Sequence, residues 1–232
     1  MRLRLYFIEL ENFANFLYFR HYLKLLPYHK QVRINSCKFD IDKKLSLISD
    51  LFVRLLACKM LKLNNANLSF DNNAYGKPFL VGFPEFQYNI SHTRSAIAIG
   101  IAEKPIGIDI EKSEIMDVKI AERFFSENEN QYILSPSKDR DKLFSEVWTK
   151  KEAYLKWTGK GLSLPLSSFD ITDIMIKNML NTFEINDYTI SVCSEQSFNE
   201  IDIIKLSEKQ IDSVFNEFAD SACHNSFIDD SR

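Results

Sequence analysis

Cysteine is sparse in this 232-residue chain, with four residues, Cys37, Cys58, Cys193 and Cys223, far apart and forming no CxxC pair. No histidine stands at metal-ligand spacing from them. This excludes a zinc framework or disulfide scaffold and suits free thiols in a reducing compartment. No run approaches the roughly 18 apolar residues of a membrane span. The opening MRLRLYFIELENF is too short in apolar character for a signal peptide and is interrupted at Glu9 and Glu11. Positive charge is not in excess either: 29 Lys and Arg against 32 Asp and Glu leave −3. No overall basic field therefore draws nucleic acid or membrane, and a polyanionic ligand must be met by local cations. These absences predict a cytoplasmic protein with neither kind of partner.

What is present is ordinary for a globular chain: 45% apolar and 26% charged residues, enough to bury a sizeable core. Leu3, Leu5 and Phe7 alternate with Arg2, Arg4 and Tyr6, which reads as a strand with one buried face. Residues 11–26 read as a helix closed by Pro27. A longer helix runs over 41–63, with Asp40 placed as its N-cap and Ile41, Leu45, Ile48, Phe52 and Leu55 at helical spacing. Short strands are expected at 68–70 and 86–88, with the turn DNNAYGKP between them. NISHTR reads as a turn, and SAIAIGIA after it as a buried strand. IGIDIE (106–111) is another strand. Helical patterns follow at 117–125, 127–134 and 138–157, the last stopped by Gly159 and Gly161. YTISVCS reads as a late strand and IIKLSEKQIDSVFNEF as a final helix. The tail from Ala219 is left unassigned. The fold class is therefore α+β, with two similar halves at 1–104 and 105–218 and a flexible tail at 219–232.

Six glycines serve the whole chain, and Gly76, Gly107, Gly159 and Gly161 fall in its most motif-like stretches. In GIDIE, Asp109 and Glu111 are two apart in a strand, so both point to one face. Paired carboxylates repel unless a cation sits between them. They mark either a solvated strand end or a magnesium site, since Mg²⁺ takes one or two carboxylates together with phosphate and water. In WTKKEAYLKW, Glu152 lies one turn after Trp148, at the edge of a buried stripe. It is either a third carboxylate or half of an (i, i+4) pair with Lys156 worth about 0.2–0.5 kcal/mol. Asn89, Ser91 and His92 offer polar atoms suited to a phosphate, as does Lys77 in the Tyr75-Gly76-Lys77-Pro78 turn; each also fits an ordinary turn.

In order, YGKP, NISH, GIDIE and WTKKEAYLK resemble the phosphopantetheinyl transferases of the surfactin type. RFFSENE stands between the last two motifs and GKGLSLPL after them, so the likeness covers roughly 70–170. The resemblance implies a transferase that moves 4′-phosphopantetheine from coenzyme A to a serine of an acyl or peptidyl carrier protein. It implies Mg²⁺ held by Asp109, Glu111 and Glu152 with the pyrophosphate of coenzyme A, and Lys156 neutralising the phosphate under attack. Ser91, His92 and Thr93 would meet the phosphates, and Tyr75 to Pro78 would line the nucleotide pocket. Glu129 matches the glutamate expected to act as base toward the serine hydroxyl, although Ser126 and Glu129 also form the pattern of a capping box. The family fold has two similar halves with the active site in the cleft between them, and a monomer is expected. One feature departs: basic residues for the 3′-phosphate are expected before and at the start of the first long helix. Lys30, Arg33, Lys38, Lys43 and Lys44 match that spacing poorly. A Mg²⁺-dependent phosphohydrolase or nuclease also needs clustered carboxylates and a lysine, but it calls for a basic groove. A non-catalytic binder of coenzyme A or carrier protein has no need of the carboxylates.

Overall fold

The computed structural model describes residues 1–10, 16–112, 118–135 and 139–225, and the chain is α+β. Strand β1 (Arg2–Glu9) is followed by helices α1 (Phe16–Phe19), α2 (Tyr28–Ser36) and α3 (Asp40–Leu61). Strands β2 (Phe70–Asn72), β3 (Pro78–Leu80), β4 (Gln87–His92), β5 (Ala96–Ala102) and β6 (Gly107–Lys112) come next. Then come α4 (Val118–Phe124), α5 (Glu127–Ile133), α6 (Arg140–Thr158), α7 (Ile174–Lys177), β7 (Leu180–Ile185), β8 (Tyr188–Cys193), β9 (Glu200–Ser207) and α8 (Glu208–Asn225). The strands form a sheet of order β4-β5-β1-β9, a β2-β3 hairpin and an antiparallel sheet β6-β8-β7. Among the described residues no helix is long and apolar enough to cross a membrane.

The residues cluster into two compact units. One comprises Met1–Leu5, Phe70–Thr93 and Ala98–Ile203; the other comprises Tyr6–Ser69, Arg94–Ile97 and Ile204–Arg232. In the first, Ile108 and Ile110 of β6 and Ile190 and Val192 of β8 are buried, as are Val147, Ala153 and Leu155 of α6. In the second, Leu45, Ile48, Leu51, Phe52 and Leu55 give α3 its buried stripe. Lys44 lies on that helix with no exposed surface and pairs with Glu208 at 2.6 Å. Lys30 pairs with Asp50 and Lys43 with Asp40. Of the five basic residues considered for a 3′-phosphate, Arg33 and Lys38 stay exposed.

Several local expectations are corrected. Residues 11–15 lie outside the described residues, and the helix expected over 11–26 is a single turn, α1, followed by a 3-10 helix at Arg20–Leu25. The buried Phe16, Phe19 and Tyr22 stand three apart, the period of a 3-10 helix. Pro27 closes that segment and also opens α2, its carbonyl accepting from Lys30 N and Gln31 N. Phe39, not Asp40, is the N-cap of α3; Asp40 sits in the first turn. NISH is not a turn but the end of β4. The stretch read as a final helix divides at Ser207, with β9 before it and α8 after, and α8 continues past Ala219 to Asn225. Residues 226–232, 136–138 and 113–117 lie outside the described residues.

Candidate active site

Gly107 sets how closely strand and helix approach. A Cβ there would stand 2.0 Å from Ala153 O and 2.2 Å from Trp157 N. Both are backbone atoms of α6, so only glycine lets the start of β6 lie against that helix. Two residues on, Asp109 then reaches across to Lys156, whose Nζ donates to Asp109 Oδ1 at 2.6 Å. β4 joins them through its polar residues. Ile108 N donates to Asn89 Oδ1 at 2.7 Å, Ser91 Oγ donates to Asp109 Oδ1 at 2.7 Å, and Lys156 Nζ donates to Ser91 Oγ at 2.9 Å. These partners explain how Asn89 and Ser91 can be buried in a strand at all. Asp109 is only 5% exposed, and its second oxygen, Oδ2, is buried without a hydrogen-bond partner.

Trp148, Glu152 and Lys156 stand four apart on α6 and form one stripe. Together with Ser91, His92, Asp109 and Glu111 they line an open depression of about 350 Å³. The carboxylates there lack sufficient positive charge. Burial, the neighbouring Asp109 and, more weakly, Glu152 push the Glu111 carboxyl up to about 7, against the pull of Lys156 and a hydrogen bond from Trp148. Burial and Asp109 push Glu152 up as well, with Lys156 opposing. A raised folded-state pKa means the folded chain holds an extra proton between the ordinary glutamate value and about 7. Stability therefore falls as pH rises through that window and levels off above it. Glu111→Gln is expected to flatten this slope and to raise the Tm of chelator-treated protein at pH 8. Thermal unfolding followed from pH 4.5 to 8 measures it, and an unchanged slope would remove Glu111 as its source.

The structure brings together Ser91, His92, Asp109, Glu111, Glu152 and Lys156, with His92 exposed at the rim. The other candidates sit differently. Thr93, just past β4, is not among the residues lining the depression. Asn89 turns inward to hold β6. Lys77 Nζ donates to Ile106 O at 2.8 Å and to Trp157 O at 3.5 Å, and burial pushes it down to about 8. Asn73 Nδ2 donates to Gly159 O at 2.9 Å. The Tyr75–Pro78 turn thus grips the end of α6 through Lys77, leaving Tyr75 exposed and Gly76 in the left-handed region at φ 90. Glu129 does close a capping box with Ser126, and it is fully buried with Lys151 Nζ at 2.7 Å from each carboxylate oxygen. A general base must come within hydrogen-bond reach of its proton; this carboxylate faces protein on every side. The Trp148–Glu111 hydrogen bond escaped sequence reasoning, although the i, i+4 spacing of Trp148 and Glu152 signals a shared face.

The model of the 4′-phosphopantetheinyl transferase superfamily matches residues 105–205, and that of the 4′-phosphopantetheinyl transferase N-terminal region matches 16–104. The chain is 35% identical over 193 residues to the 4′-phosphopantetheinyl transferase gsp of Aneurinibacillus migulanus, covering 78% of this chain and 80% of that one. It is 32% identical over 184 residues to the 4′-phosphopantetheinyl transferase Sfp of Bacillus subtilis (strain 168), covering 73% and 82%. It is also 29% identical over 164 residues to an L-aminoadipate-semialdehyde dehydrogenase-phosphopantetheinyl transferase of Saccharomyces cerevisiae, covering 66% and 60%. With residues 16–205 matched by the two models together and four fifths of two such relatives covered, the chain belongs to the 4′-phosphopantetheinyl transferase superfamily.

Proposed function

We propose that this chain transfers 4′-phosphopantetheine from coenzyme A to a serine of an acyl or peptidyl carrier protein. The serine oxygen forms a bond to the β-phosphorus of coenzyme A, the bond from that phosphorus to the bridging oxygen breaks, and adenosine 3′,5′-bisphosphate leaves. The serine proton is released. The observation that carries this reading is the buried Asp109, one oxygen held by Ser91 and Lys156 and the other unpartnered, beside two carboxyls whose pKa values are raised.

Mg²⁺ is the cation this donor set suits. Among the described residues no group of three or more His, Cys, Asp or Glu side chains is arranged to hold a metal ion. The fit rests instead on the orphaned Asp109 Oδ2 and on hard oxygen donors repelling one another. Asp109, Glu111 and Glu152 would hold it, and when bound it supplies charge neutralisation to the diphosphate. The chain's own residues do the rest. Lys156 presents an ammonium at the depression, where it offsets charge on the transferring phosphoryl group. Ser91 orients that ammonium through its hydroxyl. His92, at the rim, binds a coenzyme phosphate in the ground state.

The reading includes a cytoplasmic monomer organised as halves 1–104 and 105–218. Two family models that meet at 104 and 105 support that division. It predicts that coenzyme A with Mg²⁺ raises the Tm and that DNA with Mg²⁺ leaves it unchanged; stabilisation by DNA alone would favour a nuclease. Lys156→Ala should lower kcat by about 10²–10³-fold, because its charge is used as the transition state forms. His92→Ala should mainly raise KM for coenzyme A. Steady-state kinetics with coenzyme A varied separates the two, and the reverse pattern would exchange their roles.

A further inference from the structure

The three lysines around Glu152 go three ways. Lys150 pairs with Glu146 one turn back, and Lys156 faces the depression. Lys151 has no exposed surface. Its Nζ donates to Glu129 Oε1 and Oε2 at 2.7 Å each and to Phe169 O at 2.8 Å, so all three N–H groups are used. The rings of Phe169 and Phe125 lie 4.6 and 5.9 Å from the ammonium. Glu129, also 0% exposed, accepts further bonds from Ser126 N on Oε2 at 2.7 Å and Ile171 N on Oε1 at 2.8 Å. Each oxygen therefore has two donors, which fills the capacity of a carboxylate.

That connectivity has a direction. Val147, Lys151 and Leu155 form the buried stripe of α6, and Trp148, Glu152 and Lys156, each one residue on, form the stripe that lines the depression. A buried ion pair adds little net stability over an apolar pair of similar size. What three fixed acceptors around one ammonium add is a defined rotation of the helix, because turning α6 would break all three bonds together. We infer that Glu129 and Lys151 are a positioning pair that fixes the rotation of α6, and with it the aim of Glu152 and Lys156, and that Glu129 does not accept the serine proton.

This rests on the transferase reading, so the wild type is assayed first with coenzyme A, Mg²⁺ and an apo carrier. A wild type that makes no holo carrier sinks that reading itself. With an active wild type, Glu129→Gln, Lys151→Met and the double variant are compared well below each Tm, with kcat followed from pH 5.5 to 8.5. A positioning pair predicts similar kcat losses for the two single variants, about 10–100-fold, the scale of a misplacement near 1 Å. Both should need more Mg²⁺ for half-maximal rate, and the double variant should lose no more than the worse single one. The acid limb of the pH profile should survive in all three. The inference is overturned if Glu129→Gln alone loses about 10²–10⁴-fold and its acid limb, with Lys151→Met near normal. It is also overturned if both singles lower only the Tm. Should a single variant not fold, the double variant, which leaves no buried charge unpaired, still gives the pH profile that decides.

Discussion

Asp109→Asn is expected to lower transfer by about 10²–10³-fold while the Tm stays within a few degrees of the wild type. The asparagine carbonyl can still accept from Ser91 and Lys156, so the junction of β4, β6 and α6 keeps its hydrogen bonds. What disappears is a negative oxygen that is buried and serves no partner in the protein. Such a group costs folding energy unless a ligand uses it, so its loss should spare the fold and harm the reaction. The same substitution removes a charge that pushes Glu111 and Glu152 up. Their carboxyls should then titrate lower, and the fall of Tm with rising pH should become shallower. Kinetics at several Mg²⁺ concentrations, paired with Tm against pH, measures both effects. Normal turnover at low Mg²⁺ would remove Asp109 from the metal site.

Gly107→Ala is expected to be the most disruptive small change in the first unit. Its Cβ would overlap two backbone atoms of α6, Ala153 O and Trp157 N, and no side-chain rotation relieves that. Strand and helix must separate. Overpacking of this kind costs typically about 1–3 kcal/mol and occasionally more, or about 2–4 °C of Tm per kcal/mol in a chain of this size. Because Asp109 meets Lys156 across the same junction, activity should fall further than the Tm suggests. Gly100→Ala is the control: the nearest atoms to its Cβ would be the tips of the flexible Ile106, Ile108 and Leu3 side chains rather than backbone. A Gly107→Ala protein with wild-type Tm and kcat would show that the close approach of β6 to α6 is not required.

The residues at the depression were legible where periodicity is local. Asp109 and Glu111 share a face because strands alternate, and Trp148, Glu152 and Lys156 share one because helices repeat near four. NISH was not legible, because Asn and Ser in a row look like a turn. Only the distant Ile108 N, Asp109 and Lys156 make them affordable inside β4. Lys151 and Glu129 resisted for the same reason: their pairing spans 22 positions and depends on how α5 and α6 pack. Pro27 looks in the sequence like a stop alone, although the residue that ends one helical segment can supply the first accepting carbonyl of the next. In EIDIIKLSEKQ, the half-exposed alternation of β9 merged with the helical pattern of α8, and the break at Ser207 carries no glycine or proline to mark it.

The central claim is tested most directly by the intact mass of an apo carrier protein incubated with this chain, coenzyme A and Mg²⁺. The account predicts a gain of one phosphopantetheine on the carrier serine, with one equivalent of adenosine 3′,5′-bisphosphate released. It predicts no gain when Mg²⁺ is chelated, and a gain about 10²–10³-fold slower when Asp109→Asn replaces the wild type. A carrier that keeps its apo mass across acyl and peptidyl types, with folded wild-type chain and saturating coenzyme A, would contradict it.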